Sequence, residues 1–287
     1  MGVVIWFDGM LRDEREAVAT AVDHGLTVGD GVFETCGLVE GRAFALTRHL
    51  RRLERSATGL GLAAPDEDEI RAGIDAVLAR GGAALGRVRV TVTGGPGPLG
   101  SNRAAPGTGR QTVLVVAGPA VRPETARAAR VSWVRNERSA VAGLKTTSYA
   151  ENVVALASAV ARGADEALLA NTVGELCEGT GSNVFVERGG ELLTPSLATG
   201  CLAGITRELI LEWGREAGLP VREARAGELP FTILDDVATG GARIALSSSV
   251  RNLVPVVKLD GVDVTAGPLS LEAQRLFQAK AEAEVDP

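Results

Sequence analysis

The stretch Ala142-Gly-Leu-Lys-Thr-Thr-Ser-Tyr149 places Lys145 among apolar and hydroxyl-bearing residues. Two other lysines, Lys258 and Lys280, lack such surroundings. A partly desolvated lysine has a lowered pKa and can act as a nucleophile toward an aldehyde. An exposed lysine at the start of a helix fits the same local pattern, so the stretch alone leaves both interpretations open.

The composition is that of an ordinary globular protein. The chain has 287 residues, 45% apolar and 23% charged, which suits one large domain or two modest ones. A net charge of −6 leaves no basic excess to neutralise phosphates, so we expect no nucleic-acid partner. No run of about 18 apolar residues indicates a membrane span. We therefore expect a cytoplasmic protein with no membrane partner.

Cysteine and histidine do not indicate a metal site. Cys36, Cys177 and Cys201 show no CxxC spacing, and His24 and His49 are the only histidines. Neither a disulfide framework nor a bound metal is expected from such a set.

Short strand-like runs and helical stretches are interspersed without regular βαβ repetition, which favours an α+β fold. Period-two alternation over 87–93 predicts a strand, and Leu50, Leu53 and Ala57 share one face of a helix predicted over 47–59. Residues 118–123 contain two prolines and a glycine. We therefore predict a domain over 1–117, a linker over 118–123 and a second domain over 124–287.

A glycine-rich segment, Gly95-Pro-Gly-Pro-Leu-Gly100, formally matches the dinucleotide motif GxGxxG. That motif needs its third glycine to open a helix, whereas Ser-Asn-Arg-Ala-Ala-Pro follows here. A long loop over 94–109 is the better interpretation, and long loops are commonly functional. We expect it to border a substrate entrance, with Arg103 as its internal cation.

Three further motifs suit a phosphorylated cofactor, although each also has an ordinary structural interpretation. Glu178 opens a glycine-rich turn, where a carboxylate can point inward or into solvent. Gly204-Ile-Thr206 starts an amphipathic helix, whose backbone N–H groups can bind a phosphate or be capped by Thr206. Ser247-Ser-Ser249 ends a predicted strand, and Arg52 could supply a positive charge.

These motifs occur together in the order and spacing of one family. The sequence resembles the class IV aminotransferases, the fold-type IV enzymes of pyridoxal 5′-phosphate (PLP), over residues 23–255. The family includes D-amino-acid aminotransferase, branched-chain aminotransferase and aminodeoxychorismate lyase. The matching segments are His24-Gly-Leu-Thr-Val-Gly-Asp-Gly-Val-Phe-Glu34, His49-Leu-Arg-Arg-Leu53, Gly143-Leu-Lys145, Glu178-Gly-Thr-Gly-Ser-Asn-Val-Phe185 and Gly204-Ile-Thr-Arg207.

The resemblance implies a small N-terminal α/β domain and a larger C-terminal α/β domain, with PLP in the cleft and at least a homodimer. It implies that Lys145 holds PLP as a Schiff base and carries the proton between the substrate Cα and the cofactor C4′. Glu178 would bind the pyridine nitrogen. The implied phosphate ligands are Arg52, Ile205, Thr206, Ser248 and Ser249.

Substrate choice is less determined by these motifs. Phe33, Tyr149 and Arg103 are the candidates for substrate contact. The segment 29–34 resembles the D-amino-acid and lyase branches more than the branched-chain branch, yet Gly94-Gly-Pro96 stands where the D-amino-acid enzymes carry an Arg-x-His carboxylate trap. The first hypothesis is an aminotransferase of small α-amino acids, of D configuration, and α-keto acids. A lyase forming 4-aminobenzoate and pyruvate is the second, and a catalytically silent PLP-binding protein is the third.

Overall fold

The computed structural model describes residues 2–104 and 110–287, and the chain forms two compact units. The first unit comprises the residues up to 121 together with 144–149 and 284–287. The second comprises 122–143 and 150–283. The domain limits given above stay a prediction; the structure additionally assigns the segment that carries Lys145 to the first unit.

In its described residues, the first unit contains one antiparallel sheet, three α-helices and a short 3₁₀ helix (Gly82–Ala84). Its strands are β1 (Val4–Phe7), β2 (Met10–Arg12), β3 (Gly31–Val39), β4 (Arg42–Ala43), β5 (Arg87–Thr93) and β6 (Thr112–Gly118). They lie in the order β2-β1-β6-β5-β3-β4. Its helices are α1 (His24–Thr27), α2 (Leu46–Gly59) and α3 (Glu67–Gly81).

Alternation along β5 divides its residues between two faces of this sheet. Val88, Val90 and Val92 are buried in the core that α2 and α3 cover. Arg89 therefore projects from the opposite face, because successive strand residues alternate. Cross-strand pairing sets Arg89 against Thr35 and Thr91 against Phe33. Since paired residues share a face, Phe33 and Arg89 lie together on the face turned away from the core.

The second unit is built on one mixed sheet. Its strands are β7 (Ala126–Arg135), β8 (Glu166–Asn171), β9 (Leu176–Gly179), β10 (Asn183–Arg188), β11 (Glu191–Thr194), β12 (Val221–Glu223), β13 (Arg243–Ser248), β14 (Asn252–Leu259) and β15 (Val262–Asp263). The order is β12-β11-β10-β13-β14-β7-β8-β9, with β15 paired to β14. The helices are α4 (Ala150–Val160), α5 (Ile205–Glu216), α6 (Ile233–Thr239) and α7 (Pro268–Ala283).

Helices and strands are mixed in both units, which confirms the predicted α+β class. The core of the second unit lies between its sheet and α6, where Leu234 and Val237 meet Leu168 and Leu246. Ala155 and Ala159 of α4 pack against the β7 and β8 side in a smaller cluster. Within residues 2–104 and 110–287, no helix is both long and apolar enough to cross a membrane.

Candidate active site

The backbone of Lys145 is held at both ends within the first unit. Its N–H donates to Ser56 Oγ of α2 at 3.2 Å, and its carbonyl accepts the N–H of Phe33 in β3 at 3.0 Å. Leu144 packs so closely on α2 that a Cβ at Gly59 would lie 2.8 Å from it. The segment is thus fixed between a strand and a helix, and its side chain has a defined origin.

Two aromatic rings surround the amine of Lys145. Its Nζ lies 4.4 Å from the centroid of the Phe33 ring and 3.5 Å from the hydroxyl of Tyr149. The two rings meet edge to face, with centroids 5.0 Å apart. The guanidinium of Arg89 stacks on the same Phe33 ring at 3.7 Å. The structure therefore brings the predicted residues Phe33, Tyr149 and Lys145 together and adds Arg89 to them.

Arg52, predicted to hold a phosphate, is buried in an ion-pair cluster of α2 and β3. Its Nε donates to Glu34 Oε1 at 2.6 Å and its Nη2 to Glu34 Oε2 at 2.8 Å. His49 Nδ1 lies 2.6 Å from the same Oε2. The Glu34 carboxylate thus accepts two parallel hydrogen bonds from the Arg52 guanidinium, a strong and geometrically specific form of ion pair.

The electrostatics of this cluster shift two pKa values downward. Burial by itself raises the pKa of the Glu34 carboxyl, but the charges and hydrogen bonds of Arg52 and His49 outweigh it and hold the pKa well below its usual range. Burial lowers the pKa of His49, against the attraction of Glu34, and the charges of Arg52 and Lys145 act in the same direction as burial. The cluster is therefore most stable with Glu34 ionised and His49 neutral.

Arg103 is held at the surface of the first unit. Its Nε and Nη2 donate to the two oxygens of Asp30 at 2.8 and 2.6 Å, and it also donates to the carbonyls of Leu60 and Gly61. Contact with a substrate would require this bidentate pair to open. Its predicted role stays a prediction, and the part of its loop at 105–109 lies outside the described residues.

Glu178 lies one residue before the end of β9 in the second unit, with both carboxylate oxygens engaged. Oε1 accepts from Arg135 Nε at 3.1 Å, and Oε2 accepts the backbone N–H of Leu202 at 2.9 Å. Arg135 is itself held by Asn152, whose amide donates to the carbonyl of Thr180. The side chain is buried and held in place, so the solvated hairpin glutamate that the sequence also allowed does not occur.

The start of α5 in the second unit has the features of an anion site. Gly204 is its N-cap and has no side chain with which to cap the helix, so the N–H groups of the first turn have no partner within the helix. Ser247 is paired with Asn183, and a Cβ at Gly204 would lie 1.9 Å from Asn183 Oδ1. Because paired strand residues share a face, Ser247 lies on the side where α5 begins.

Comparison with known proteins gives one family over most of the chain. The family model described as "Amino-transferase class IV" matches residues 31–259. The chain is 33% identical to a Methanocaldococcus jannaschii protein assigned as a branched-chain-amino-acid aminotransferase, over 90% of this chain and 88% of that one. It is 30% identical to aminodeoxychorismate lyase of Bacillus subtilis, over 98% and 94%. It is 28% identical to D-alanine aminotransferase of Listeria innocua, over 93% and 92%.

Solved structures show the same architecture. The branched-chain aminotransferase of Thermoproteus uzoniensis, determined with norvaline, superposes with a TM-score of 0.85 at 28% identity, over 99% of this chain and 96% of that one. A hypothetical aminotransferase from Mycobacterium tuberculosis in its PLP-bound form gives 0.81 at 26% identity, over 96% and 98%. The chain belongs to the class IV aminotransferase family. It is a PLP-dependent enzyme of fold type IV.

The residues present fit this cofactor. Ser247 Oγ is buried and, within the described part of the chain, has no hydrogen-bond partner, which is costly unless a ligand or water supplies one. The start of α5 provides backbone donors for a phosphate, and Glu178 provides a buried carboxylate for a ring N–H.

Arg89 is the residue that the sequence analysis missed. In the alternating pattern of 87–93 it is one of the polar positions, and nothing nearby distinguishes it from a solvent-facing strand arginine. The signal would have been its pairing: once β3 and β5 are neighbours in this register, residues 33 and 89 share a face.

Proposed function

We propose that this enzyme transfers the amino group between small α-amino acids and α-keto acids, with Lys145 as its reactive amine. The observation that carries the proposal is the amine itself, which is half-buried, fixed through both ends of its backbone and placed between Phe33 and Tyr149. When bound, PLP supplies a ring that withdraws electrons from the substrate Cα.

The residues of the chain have separable tasks in this proposal. Lys145 Nζ would take a proton from the substrate Cα and deliver it to C4′ of the cofactor, and Tyr149 Oη accepts a hydrogen bond from that amine. Glu178 accepts the N–H of the pyridine ring, since both of its oxygens act as acceptors. Arg52, Ile205, Thr206, Ser248 and Ser249 bind the phosphate.

Arg89 is proposed as the group that attracts a substrate carboxylate. The guanidinium of Arg89 and the amine of Lys145 both lie over the Phe33 ring. An amino acid whose carboxylate binds Arg89 therefore has its Cα near the Lys145 amine. Phe33 holds the guanidinium by cation–π attraction without using its N–H donors. A carboxylate can then be recognised through two parallel hydrogen bonds.

D-Amino acids are the proposed donors, supported by the segment 29–34 and by the D-alanine aminotransferase relatives. L-Branched-chain amino acids are the second candidate, supported by the relative from M. jannaschii and by the likeness to the structure from T. uzoniensis. The lyase reaction is the third, supported by the relative from B. subtilis. All three reactions use the same amine, so they differ in what surrounds the substrate.

A single-turnover experiment separates these candidates. The purified PLP-loaded enzyme is mixed in separate runs with D-alanine, D-glutamate, L-leucine and aminodeoxychorismate, while the visible band of the cofactor is recorded and the products are analysed. Loss of the band with formation of the keto acid identifies an amino donor. Release of pyruvate and 4-aminobenzoate with the band retained identifies a lyase. No change with any of the four contradicts the proposal.

A homodimer in the cytoplasm completes the proposal. Its support is an exposed apolar set in the second unit, which includes Val153, Val154 and Val160 of α4 and Trp133 of β7. The three cysteines are unpaired and buried, as expected in a reducing compartment. The mass of the purified protein by light scattering tests the dimer, and a monomer at micromolar concentration would contradict it.

A further inference from the structure

A second buried carboxylate, that of Glu166, lies beneath the turn that follows Glu178. Glu166 opens β8, and residues 180–182 connect β9 to β10. Its Oε1 accepts the backbone N–H of Thr180 at 2.9 Å and also the Thr180 hydroxyl. Its Oε2 accepts Ser182 Oγ at 2.9 Å. The residue is only 2% exposed, so these contacts are made away from water.

The turn is shaped to receive this carboxylate. A Cβ at Gly179 would lie 3.0 Å from Glu166 Cδ and 2.4 Å from Ser182 Oγ, so a larger residue there would displace one of them. The N–H of Ala167 donates to Glu166 Oε1 at 3.2 Å, and its carbonyl accepts the N–H of Thr180 at 3.1 Å. The turn is thus fastened to the start of β8 at several points.

Glu166 also reaches a second turn through Arg251. Arg251 Nη1 donates to Glu166 Oε2 at 3.3 Å, and its Nη2 donates to the carbonyl of Asp165 at 3.0 Å. The backbone N–H of Arg251 donates to Ser248 Oγ at 3.3 Å. This second turn joins β13 to β14 and contains Ser248 and Ser249. One carboxylate therefore touches the Glu178 turn directly and the serine turn through one side chain.

We propose that Glu166 is a positioning residue, which sets the Glu178 turn and the Ser248–Ser249 turn at a fixed separation that matches the ring nitrogen and the phosphate of PLP. The inference rests on the proposed roles of Glu178, Ser248 and Ser249. Glu166 makes no contact with the cofactor in this account. Its effect is to keep the two groups of ligands in register on the rigid sheet of the second unit.

The chemistry requires a carboxylate at this position. The partners of Glu166 are backbone N–H groups, hydroxyls and a guanidinium, and both of its oxygens act as acceptors. A glutamine has the same shape but replaces one acceptor with two donors. It would set an NH₂ group either against the N–H groups of the first turn or against Arg251. One of the two turns would then lose its attachment.

Glu166→Gln is the test, with Glu187→Gln as its matched control. Glu187 is also a buried strand carboxylate, which accepts from the backbone and hydroxyl of Ser270. The dissociation constant of PLP from each protein is measured by equilibrium dialysis, together with the ³¹P chemical shift of the bound cofactor. Thermal unfolding of each cofactor-free protein measures the loss of stability.

We expect Glu166→Gln to weaken PLP binding about tenfold or more and to shift the ³¹P signal, since hydrogen bonds to a charged group are lost. Glu187→Gln should lose stability and keep the wild-type constant.

Arg251→Met keeps the proposal testable if Glu166→Gln does not fold. Arg251 is partly exposed, and methionine retains its apolar stem. This variant should shift the ³¹P signal while the pH dependence of the visible cofactor band stays that of the wild type, because only the serine turn is released. Wild-type PLP binding and ³¹P shift in a folded Glu166→Gln or Arg251→Met protein would overturn the inference. Failure of the wild-type protein to bind PLP would instead contradict the proposed function.

Discussion

At the residue scale, two arginines compete for the role of substrate-carboxylate ligand. The sequence draws attention to Arg103, whereas the structure pairs Arg103 with Asp30 and stacks Arg89 on Phe33 beside the Lys145 amine. Arg89→Met should raise KM for every amino-acid substrate about tenfold or more, because a charge-assisted contact is lost. Arg103→Met is the matched control. The hypothesis drawn from the sequence predicts that it raises KM for dicarboxylates alone. Unchanged KM values in Arg89→Met would show that the carboxylate is bound elsewhere.

Glu178 supports a second prediction about a single side chain. Glu178→Gln should fold, because the amide keeps the shape of the carboxylate and its one oxygen still accepts from Arg135 or from Leu202, but it should lose activity. A neutral amide cannot hold a proton on the ring nitrogen as a carboxylate does, and a shift of one pKa unit corresponds to about tenfold in rate. Turnover is measured at saturating PLP. A rate equal to that of the wild type would remove Glu178 from this role.

At the element scale, α2 is capped from a distant part of the sequence. Its N-cap residue, Ala45, offers no side-chain acceptor. Asp286 instead accepts from Thr47 N at 2.9 Å and from Thr47 Oγ1 at 2.6 Å, and the carbonyl of Val285 accepts Ala45 N. The local pattern around residue 45 contains no sign of this cap. Asp286 is 239 positions from Thr47.

Asp286→Ala should therefore destabilise the protein by about 1 kcal/mol, the usual cost of losing an N-cap. It should also weaken PLP binding, because α2 carries Arg52, which is a proposed ligand of the PLP phosphate. Asp66→Ala is the control, since Asp66 caps α3 through the N–H groups of Asp68 and Glu69. Both variants are compared by urea unfolding and by PLP titration. A loss of stability in Asp286→Ala without a change in PLP affinity would show that the cap of α2 does not affect PLP binding.

The contact between α2 and β3 makes stability depend on pH. The pKa values of Glu34 and His49 are both lowered in the folded protein, so the unfolded chain binds more protons and acid favours unfolding. Stability should fall as pH drops below about 6.5, where unfolded His49 is protonated, and further below about 4.3 for Glu34. Each group contributes at most about 1.4 kcal/mol per pH unit. His49→Gln should abolish the first part in urea unfolding. An unchanged slope in that variant would contradict the assignment.

The elements that the sequence predicts well are those with a clear period. Alternation over 87–93 matches β5 residue for residue, and the apolar face over 47–59 matches α2 to within one residue. The ten-residue strand β7 is not predicted, because its segment Ala-Arg-Ala-Ala-Arg-Val-Ser-Trp-Val-Arg lacks regular alternation. It occurs because β8 and β14 pair with it on either side. Tertiary pairing overrides local preference there.

At the scale of the whole molecule, the sequence suggests the proposed cofactor ligands but not the residues that hold them in place. Lys145, Glu178 and Arg52 stand in recognisable motifs. Arg135 and Glu166 are distant in the chain from the segments that they hold, and Glu34, although it ends one of the quoted segments, is seen as the partner of Arg52 only in the folded protein. Their roles therefore depend on contacts that only the folded sheets create. The assignment of residues 144–149 to the first unit likewise depends on contacts that form only in the folded protein.

The central claim is that PLP is carried by Lys145, and reduction of the loaded protein with borohydride tests it most directly. Reduction fixes the cofactor to the amine that holds it, and peptide mass spectrometry then locates the modified lysine. The chain offers three lysines, of which Lys258 is paired with Asp263 and Lys280 with Glu216. The account predicts one phosphopyridoxyl group per chain, on Lys145. Modification of Lys258 or Lys280 in its place, or no modification of a protein saturated with PLP, would contradict it.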